Sequence, residues 1–454
     1  MATIILLLQQ ARTWAEHRRL QFRQFFSGSF VRNVAILSGG AAIGHAFTFA
    51  IAPILTRIYG PRDFGALGLF TSFLSIAGVA VALQFEISIV SAADEEEAEY
   101  ITLACLLLAL PVSVVAGTVL WIFIRHSAPE FSLLPQYTAV LLAFAMCFVG
   151  VFAALRYWCL RKEQFKQVSQ GVVVQSAARA SLQAAIGAAG LHSAGLLLGE
   201  TVGRCLGMSR MLRIAWPVLQ RRVSRFRWAE FIQALKRNWK FPIYSLPSCF
   251  LDALCMGITV PLLIRLHGAS VGGHFSLVWR SVTLPSVVFT GAIADTFHQR
   301  IATCAHETPD RVMRLFQCTS AGLLLLGLVP ATVMWYWGEP LFLLAFGAQW
   351  GVAGTMVSLV VPWYLAQLVV SPVSRVVVVL SGQEIKLLWD VLYLGSLLAT
   401  FFFAQRQGMG PTELVRMLSL VSAGMYVIYY LLLMRIIVRF TRTQELITEA
   451  AEAT

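Results

Sequence analysis

A few ionisable side chains in this 454-residue chain stand inside long apolar runs, where nothing local would hydrate them. Arg179 and Arg204 lie in the middle of two such runs and Arg280 within a third. Glu86, Glu200, Asp252, Asp295 and His45 occupy comparable places. An arginine at the centre of a bilayer costs about 2.5 to 3.5 kcal/mol, so one retained there needs a counter-charge, a wet cavity or a ligand. Guanidinium stays charged and donates in a planar fork that fits carboxylate and phosphate oxygens, which makes Arg179, Arg204 and Arg280 candidates for holding an anion. Structural pairings compete with that reading. Glu200 and Arg204 are four residues apart and can pair on one helix face. Arg280 and Asp252 sit on neighbouring runs and can pair across them. Arg179 has no carboxylate near it in sequence, which favours a ligand-facing role. Glu86, Asp252, Glu200, Asp295 and His45 are candidates for modulating the charge or coupling it to an ion, although a histidine in such a place is more often a hydrogen-bonded packing residue.

No GxxxxGK[ST], HExxH or DxD sequence is present, the one GxSxG string (Gly268 to Gly272) falls between two apolar runs of helical length rather than after the strand a nucleophile elbow requires, and none of the eight cysteines forms a CxxC pair. Nucleotide hydrolysis, zinc proteolysis and serine hydrolysis therefore lose support, and no cofactor, metal site or enzymatic activity is expected.

The elements that must position these charges are membrane helices. The composition is 58% apolar and only 13% charged, with a mean hydropathy of +0.72, against about 25% charge in ordinary domains. Twelve apolar runs are long enough to span a bilayer, at about 34–58, 65–90, 100–124, 134–157, 168–190, 194–214, 241–266, 272–297, 313–337, 352–380, 386–404 and 412–438. We number them spans 1 to 12. With the N-terminus inside, about 25 of the 35 Lys and Arg fall on the cytoplasmic side, which puts both termini there. The net charge of +12 is then an orientation signal rather than a nucleic-acid footprint. The acidic run Asp94 to Glu99 reads as a solvated face of the loop after span 2. The expected organisation is a cytoplasmic leader (1–33), a first lobe (34–214), a basic cytoplasmic linker (215–240), a second lobe (241–438) and a cytoplasmic tail (439–454).

The linker divides the spans six and six, and the halves repeat. PILTRIYGPRDFG at 53–65 and PLLIRLHGASVGG at 261–273 align Pro53 with Pro261, Arg57 with Arg265, Gly60 with Gly268 and Gly65 with Gly273, each at the end of its half's first span. An even number of spans per half makes the copies parallel, as in several transporter folds. The expected fold is an all-α polytopic membrane protein with about twelve helices in two parallel six-helix lobes around a central cavity. Gly40 and Gly44, and Gly199, Gly203 and Gly207, have the spacing that lets membrane helices approach closely.

The stretch from Asn33 through Glu99, including LTRIYGPRDFGALGLFTSF, QFEISIVSA and DEEEAEY, resembles the N-terminal lobe of Wzx-type polysaccharide flippases. These belong to the MOP (multidrug, oligosaccharidyl-lipid, polysaccharide) exporter superfamily. KFPIYSLPSCFLDAL at 240–254 and HFSLVWRSVTLPSVVFTGAIADTFHQRIA at 274–302 look like that family's seventh and eighth spans, and RYWCLRKEQFKQVS resembles its basic loop after span 4. The resemblance touches Arg57, Glu86, Arg280, Pro285 and Asp295 and adds Arg57 to the candidate substrate-binding residues. It implies an inner-membrane protein that passes an undecaprenyl-pyrophosphate-linked oligosaccharide between leaflets during surface polysaccharide or O-antigen lipopolysaccharide synthesis, with membrane lipids and other assembly proteins as partners.

A hydrated sugar headgroup cannot cross about 30 Å of hydrocarbon unaided, so such a protein must offer a wet, cationic groove while the lipid tail stays in the membrane. Alternating access driven by a proton or sodium gradient is the expected mechanism. A MATE-like multidrug exporter is the alternative within transporters, and a polytopic polysaccharide polymerase or ligase the alternative among enzymes. The latter would need a large outer loop bearing Arg and His, and the largest here, WGEPLFLLAFGAQWG at 337–351, has neither.

Overall fold

The computed structural model describes the backbone of residues 28–126, 133–380 and 382–452, with the side chains of these except 28–35, 284–290, 292, 295, 306, 307, 310 and 444–452. Most of the expected leader, and the side chains of Pro285 and Asp295, lie outside the described residues. Among the described residues the chain is helical throughout, with no strand.

Span 1 is Gly28–Ile58. Span 2 is two helices, Pro61–Gly78 and Phe85–Ser91. Spans 3, 4 and 5 are Glu95–His126, Tyr137–Arg161 and Phe165–Ala188, and span 6 is His192–Leu206. A helix at Ser209–Ser224 (α1) and another at Trp228–Arg237 (α2) carry the linker. Span 7 starts as a π-helical turn, Phe241–Ser245, and continues as Leu246–Gly257 and Thr259–His267. Spans 8 to 12 follow as Ala269–Glu307, Val312–Phe346, Gly351–Val373 with Val376–Val379, Gln383–Gln407 and Pro411–Glu452.

Eight helical stretches among the described residues are long and apolar enough to cross a membrane, at spans 1, 3, 4, 7 and 9 to 12. Spans 2, 5 and 6 fall short, for a physical reason, while span 8 includes side chains outside the described residues. Spans 2 and 8 pack against each other where the lobes meet, and spans 5 and 6 pack together around the buried arginines. A helix facing protein or water needs less apolar surface than one facing lipid.

The repeat motifs meet at the lobe interface. Gly60 begins span 2 in an extended conformation, with Pro61 in the first turn and the Asp63 carboxylate accepting from the Gly60 N–H at 3.0 Å. Its counterpart Gly268 has φ +87°, a conformation that only glycine adopts without strain. The equivalent Gly65 and Gly273 face one another. A methyl group on Gly273 would run into the Pro61 carbonyl and come within 2.8 Å of the Gly65 nitrogen, and one on Gly65 would lie 2.9 Å from the Ala269 carbonyl carbon. Beside this crossing, Gln349 Nε2 and Trp350 Nε1 donate to the Thr56 carbonyl at 2.7 and 3.1 Å, while Trp350 meets Phe64 edge to face at 4.9 Å. Among the described residues, every hydrogen bond between spans 1–6 and spans 7–12 ends on the Thr56 or Tyr59 carbonyl. The lobes are thus clasped at the end that carries the repeat motifs.

At the opposite, linker end, the acidic run is not a solvated face. Arg222 Nε donates to Glu99 at 2.6 Å and its Nη2 to Glu96 at 3.2 Å. Asn238 donates to Glu97 at 2.9 Å, and the Tyr100 hydroxyl to Glu230 at 3.0 Å. These bonds fasten the linker to the start of span 3, over a buried cluster that includes Tyr100, Trp158, Met211, Leu219 and Phe231.

Candidate functional site: a cationic cluster in the first lobe

Spans 5 and 6 approach closely because Gly199, Gly203 and Gly207 leave no side chain between them. A methyl at Gly203 would lie 2.6 Å from the Arg179 nitrogen, and one at Gly199 would lie 2.7 Å from that of Gln183. Arg179 and Gln183, four apart on span 5, therefore face Glu200 and Arg204, four apart on span 6.

Glu200 is the hub and is only 1% exposed. Its Oε1 accepts from Arg179 Nη1 at 3.0 Å and from Arg204 Nη2 at 2.6 Å, and its Oε2 accepts from Gln183 Nε2 at 3.2 Å. Arg280, from span 8 of the second lobe, is near enough to interact electrostatically with Glu200 and with both other arginines. It makes no side-chain hydrogen bond or ion pair among the described residues. At 1.5 Å per residue the three arginines lie about 14 to 18 Å inward from the motif end of their helices, roughly mid-membrane.

Three guanidiniums against one carboxylate leave two positive charges over. The Nε donors of Arg179 and Arg204 are buried with no acceptor, although these side chains remain 22% and 19% exposed. Buried donors without partners are costly. An anion entering from the exposed side could meet both needs.

The structure thus brings Arg179, Arg204, Arg280 and Glu200 together. It confirms the Glu200–Arg204 pair and corrects the expectation for Arg179, whose carboxylate partner comes from the next helix, 21 residues on. His45 on span 1 is exposed and within electrostatic reach of Arg179, beside the cluster. Arg57 is not brought in. It is exposed in the last turn of span 1, at the motif end, well away from mid-membrane.

The expected pairing of Asp252 with Arg280 is also corrected. Asp252 is exposed and pairs with Lys386 at 3.3 Å, and Lys386 binds both oxygens of buried Asp390 at 2.7 Å. This triad joins spans 7 and 11. Neither Lys386 nor Asp390 is among the charges singled out from the sequence, although their spacing of four on one helix is a usable signal.

Glu86 lies apart from both clusters. It follows the break in span 2, where Leu83 and Gln84 take φ +52° and +63° and the Gln84 amide caps the Val79 carbonyl at 2.9 Å. Glu86 is buried, and its Oε2 has no hydrogen-bond partner. It lies within electrostatic reach of Tyr157 in its own lobe and of Cys249 on span 7. Among the described residues no group of three or more His, Cys, Asp or Glu could hold a metal ion.

Two six-helix lobes with buried charge where they meet make up a fold that solved membrane transporters share. The fold is similar to a MOP superfamily transporter from Pyrococcus furiosus Vc1 (DSM3638), with a TM-score of 0.59 and 15% identity over 90% of this chain and 96% of that one. It is also similar to an inward-facing multidrug-resistance MATE family transporter of that superfamily, with a TM-score of 0.60 and 12% identity over 88% and 96%.

The model of the family described as "Polysaccharide biosynthesis protein" matches residues 30–297, more than half the chain, and the chain belongs to that family. It is 23% identical over 379 residues to the succinoglycan biosynthesis transport protein ExoT of Rhizobium meliloti (strain 1021), covering 80% of this chain and 71% of ExoT. The Wzx-type, MOP-superfamily resemblance read from the first lobe is borne out.

Proposed function

We propose that the protein is a flippase that moves an undecaprenyl-pyrophosphate-linked oligosaccharide across the inner membrane, with both termini in the cytoplasm. The observation that carries this reading is the surplus of two positive charges around Glu200, with two guanidinium Nε donors unbonded. A diphosphate supplies the missing acceptors, since its oxygens accept guanidinium forks bidentately. The Lys/Arg bias puts the clasped motif end at the periplasm, so the lobes are closed outward and the cluster is loaded from the cytoplasmic side. Release requires the Gly65–Gly273 crossing to part. Glu86, buried with its Oε2 unbonded, is the carboxylate we assign to coupling with a proton or sodium gradient.

A multidrug exporter is the competing reading, because MATE transporters share the fold. The cluster's polarity argues against it, since a cationic drug would meet net positive charge. The deciding experiment is deletion of the gene, then complementation, with lipid extraction and drug-sensitivity testing. Accumulated polyprenyl-linked glycan, cured by the parent and not by the chain with Arg179, Arg204 and Arg280 all replaced by alanine, fits the proposal. Normal export by that triple variant, or unchanged lipids with drug hypersensitivity, rejects it.

A further inference from the structure

The linker helices carry cations and aromatic groups that the first-lobe cluster does not use. Helix α1 has three faces along its length. Met211, Ala215 and Leu219 recur at i, i+4 and i+8 and are buried against the first lobe. Leu212, Trp216 and Val223 form an adjoining exposed apolar face. Arg210, Arg213 and Arg221 lie on the third side, which is exposed and basic.

The helix before α1, His192–Leu206, is 15 residues long, or about 22 Å, which is short of a bilayer's thickness. Helix α1 therefore leaves the hydrocarbon in its first turn, near Leu212, and Trp216 lies one turn further on, at the membrane surface. Helix α2 continues the pattern, with Phe231 buried and Trp228 and Ile232 exposed.

The charges divide sharply. Arg222, Arg227 and Arg237 are engaged by Glu96, Glu99, Glu230 and Glu97. Arg213, Arg221 and Arg225 are exposed and make no ion pair among the described residues. The acidic run thus holds the linker in place without neutralising its outer side.

We propose that the linker is a binding site for anionic phospholipid headgroups, in which Arg213, Arg221 and Arg225 contact the phosphates while Trp216 and Trp228 insert at the interface. An interfacial helix needs an apolar face beside a basic one, and α1 has both next to the face it buries. Charge complementarity selects the occupant: three unpaired cations at the membrane surface attract anionic lipid and gain little from zwitterionic lipid. This inference does not depend on the transported substrate.

The test uses the full chain, purified in detergent and stripped of lipid. It is offered equal amounts of phosphatidylglycerol and phosphatidylcholine, and retained lipid is read by native mass spectrometry. The parent should favour phosphatidylglycerol by about tenfold or more, and R213Q/R221Q/R225Q should fall to near parity. R125Q/R406Q, which removes exposed cations at the other end of the molecule, should leave the preference intact. If the triple variant does not fold, the parent decides the matter, because raised salt should abolish its preference. Equal retention of both lipids by the parent, a preference unchanged in the triple variant, or a preference insensitive to salt would overturn the proposal.

Discussion

Replacing Gly273 with alanine adds one methyl group where the two repeat motifs cross. That carbon would lie 2.7 Å from the Pro61 carbonyl carbon and 2.8 Å from the Gly65 nitrogen, in addition to colliding with the Pro61 oxygen. Carbon atoms prefer about 3.5 to 4.0 Å, so the lobes must separate by roughly 1 Å or more. All three obstructing atoms are backbone and cannot rotate away. The shift also stretches the Gln349 and Trp350 bonds to Thr56, which lie beside the crossing. Overpacking of this kind costs about 1 to 3 kcal/mol, enough to move an equilibrium between clasped and parted lobes by roughly five- to 150-fold. Spin labels on exposed Arg62 and Ala348, one on each lobe, introduced after the native cysteines are replaced, would report the distance at the motif end. G273A should move the distribution to longer distances. An unchanged distribution with unchanged thermal stability would show that the crossing is not a tight stop and would refute the reasoning.

The other predictions concern the charges. E200Q removes the one carboxylate among three guanidiniums, so the melting temperature should fall by an amount equivalent to about 3 to 5 kcal/mol while affinity for diphosphate holds or tightens. Loss of both stability and anion binding would contradict the assigned roles. K386M strands the buried Asp390 carboxylate and should destabilise by a similar amount, about 3 to 5 kcal/mol, and K386M/D390N should recover most of it. A double variant no better than the single one would show that the triad is not an electrostatic unit. At the linker, hydrogen bonds from Arg227 and then Tyr100 hold the Glu230 carboxyl below its ordinary 4.5. A depressed carboxyl favours the docked linker above about pH 4.5, and that support fades as pH falls through the lowered value. The protection of α2 amides against hydrogen exchange, relative to their intrinsic rates at each pH, should fall below about pH 4 in the parent and be lower at neutral pH in E230Q.

Much of this architecture is written locally. Apolar runs of spanning length give the helices, the Lys/Arg bias gives an orientation, and the Gly65–Gly273 alignment gives the two-lobe repeat, whose equivalent glycines turn out to touch. What depends on tertiary contact was not legible. Arg179 finds its carboxylate on the neighbouring helix through a glycine groove, so sequence distance misled. The acidic run finds its partners more than 120 residues away in the linker. The break in span 2 starts after Gly78, but the residues that take positive φ, Leu83 and Gln84, are not ones that favour it, so the turn itself is not legible. Arg57 shares a repeat position with Arg265, yet the end of its helix keeps it out of the cluster. Lys386 and Asp390 escape a reading of the sequence because a cation at the edge of an apolar run resembles an orientation signal.

The most direct test of the cationic cluster is the affinity of the purified full-length protein for undecaprenyl pyrophosphate and for uncharged undecaprenol, in the parent and in R280A. Arg280 is the informative position because it has no side-chain partner to lose among the described residues. The account predicts that the parent binds the diphosphate at least about tenfold more tightly than the alcohol, and that R280A loses most of that margin while its melting temperature stays near the parent's. Equal affinity for the two lipids in the parent, or an undiminished margin in R280A, would contradict it.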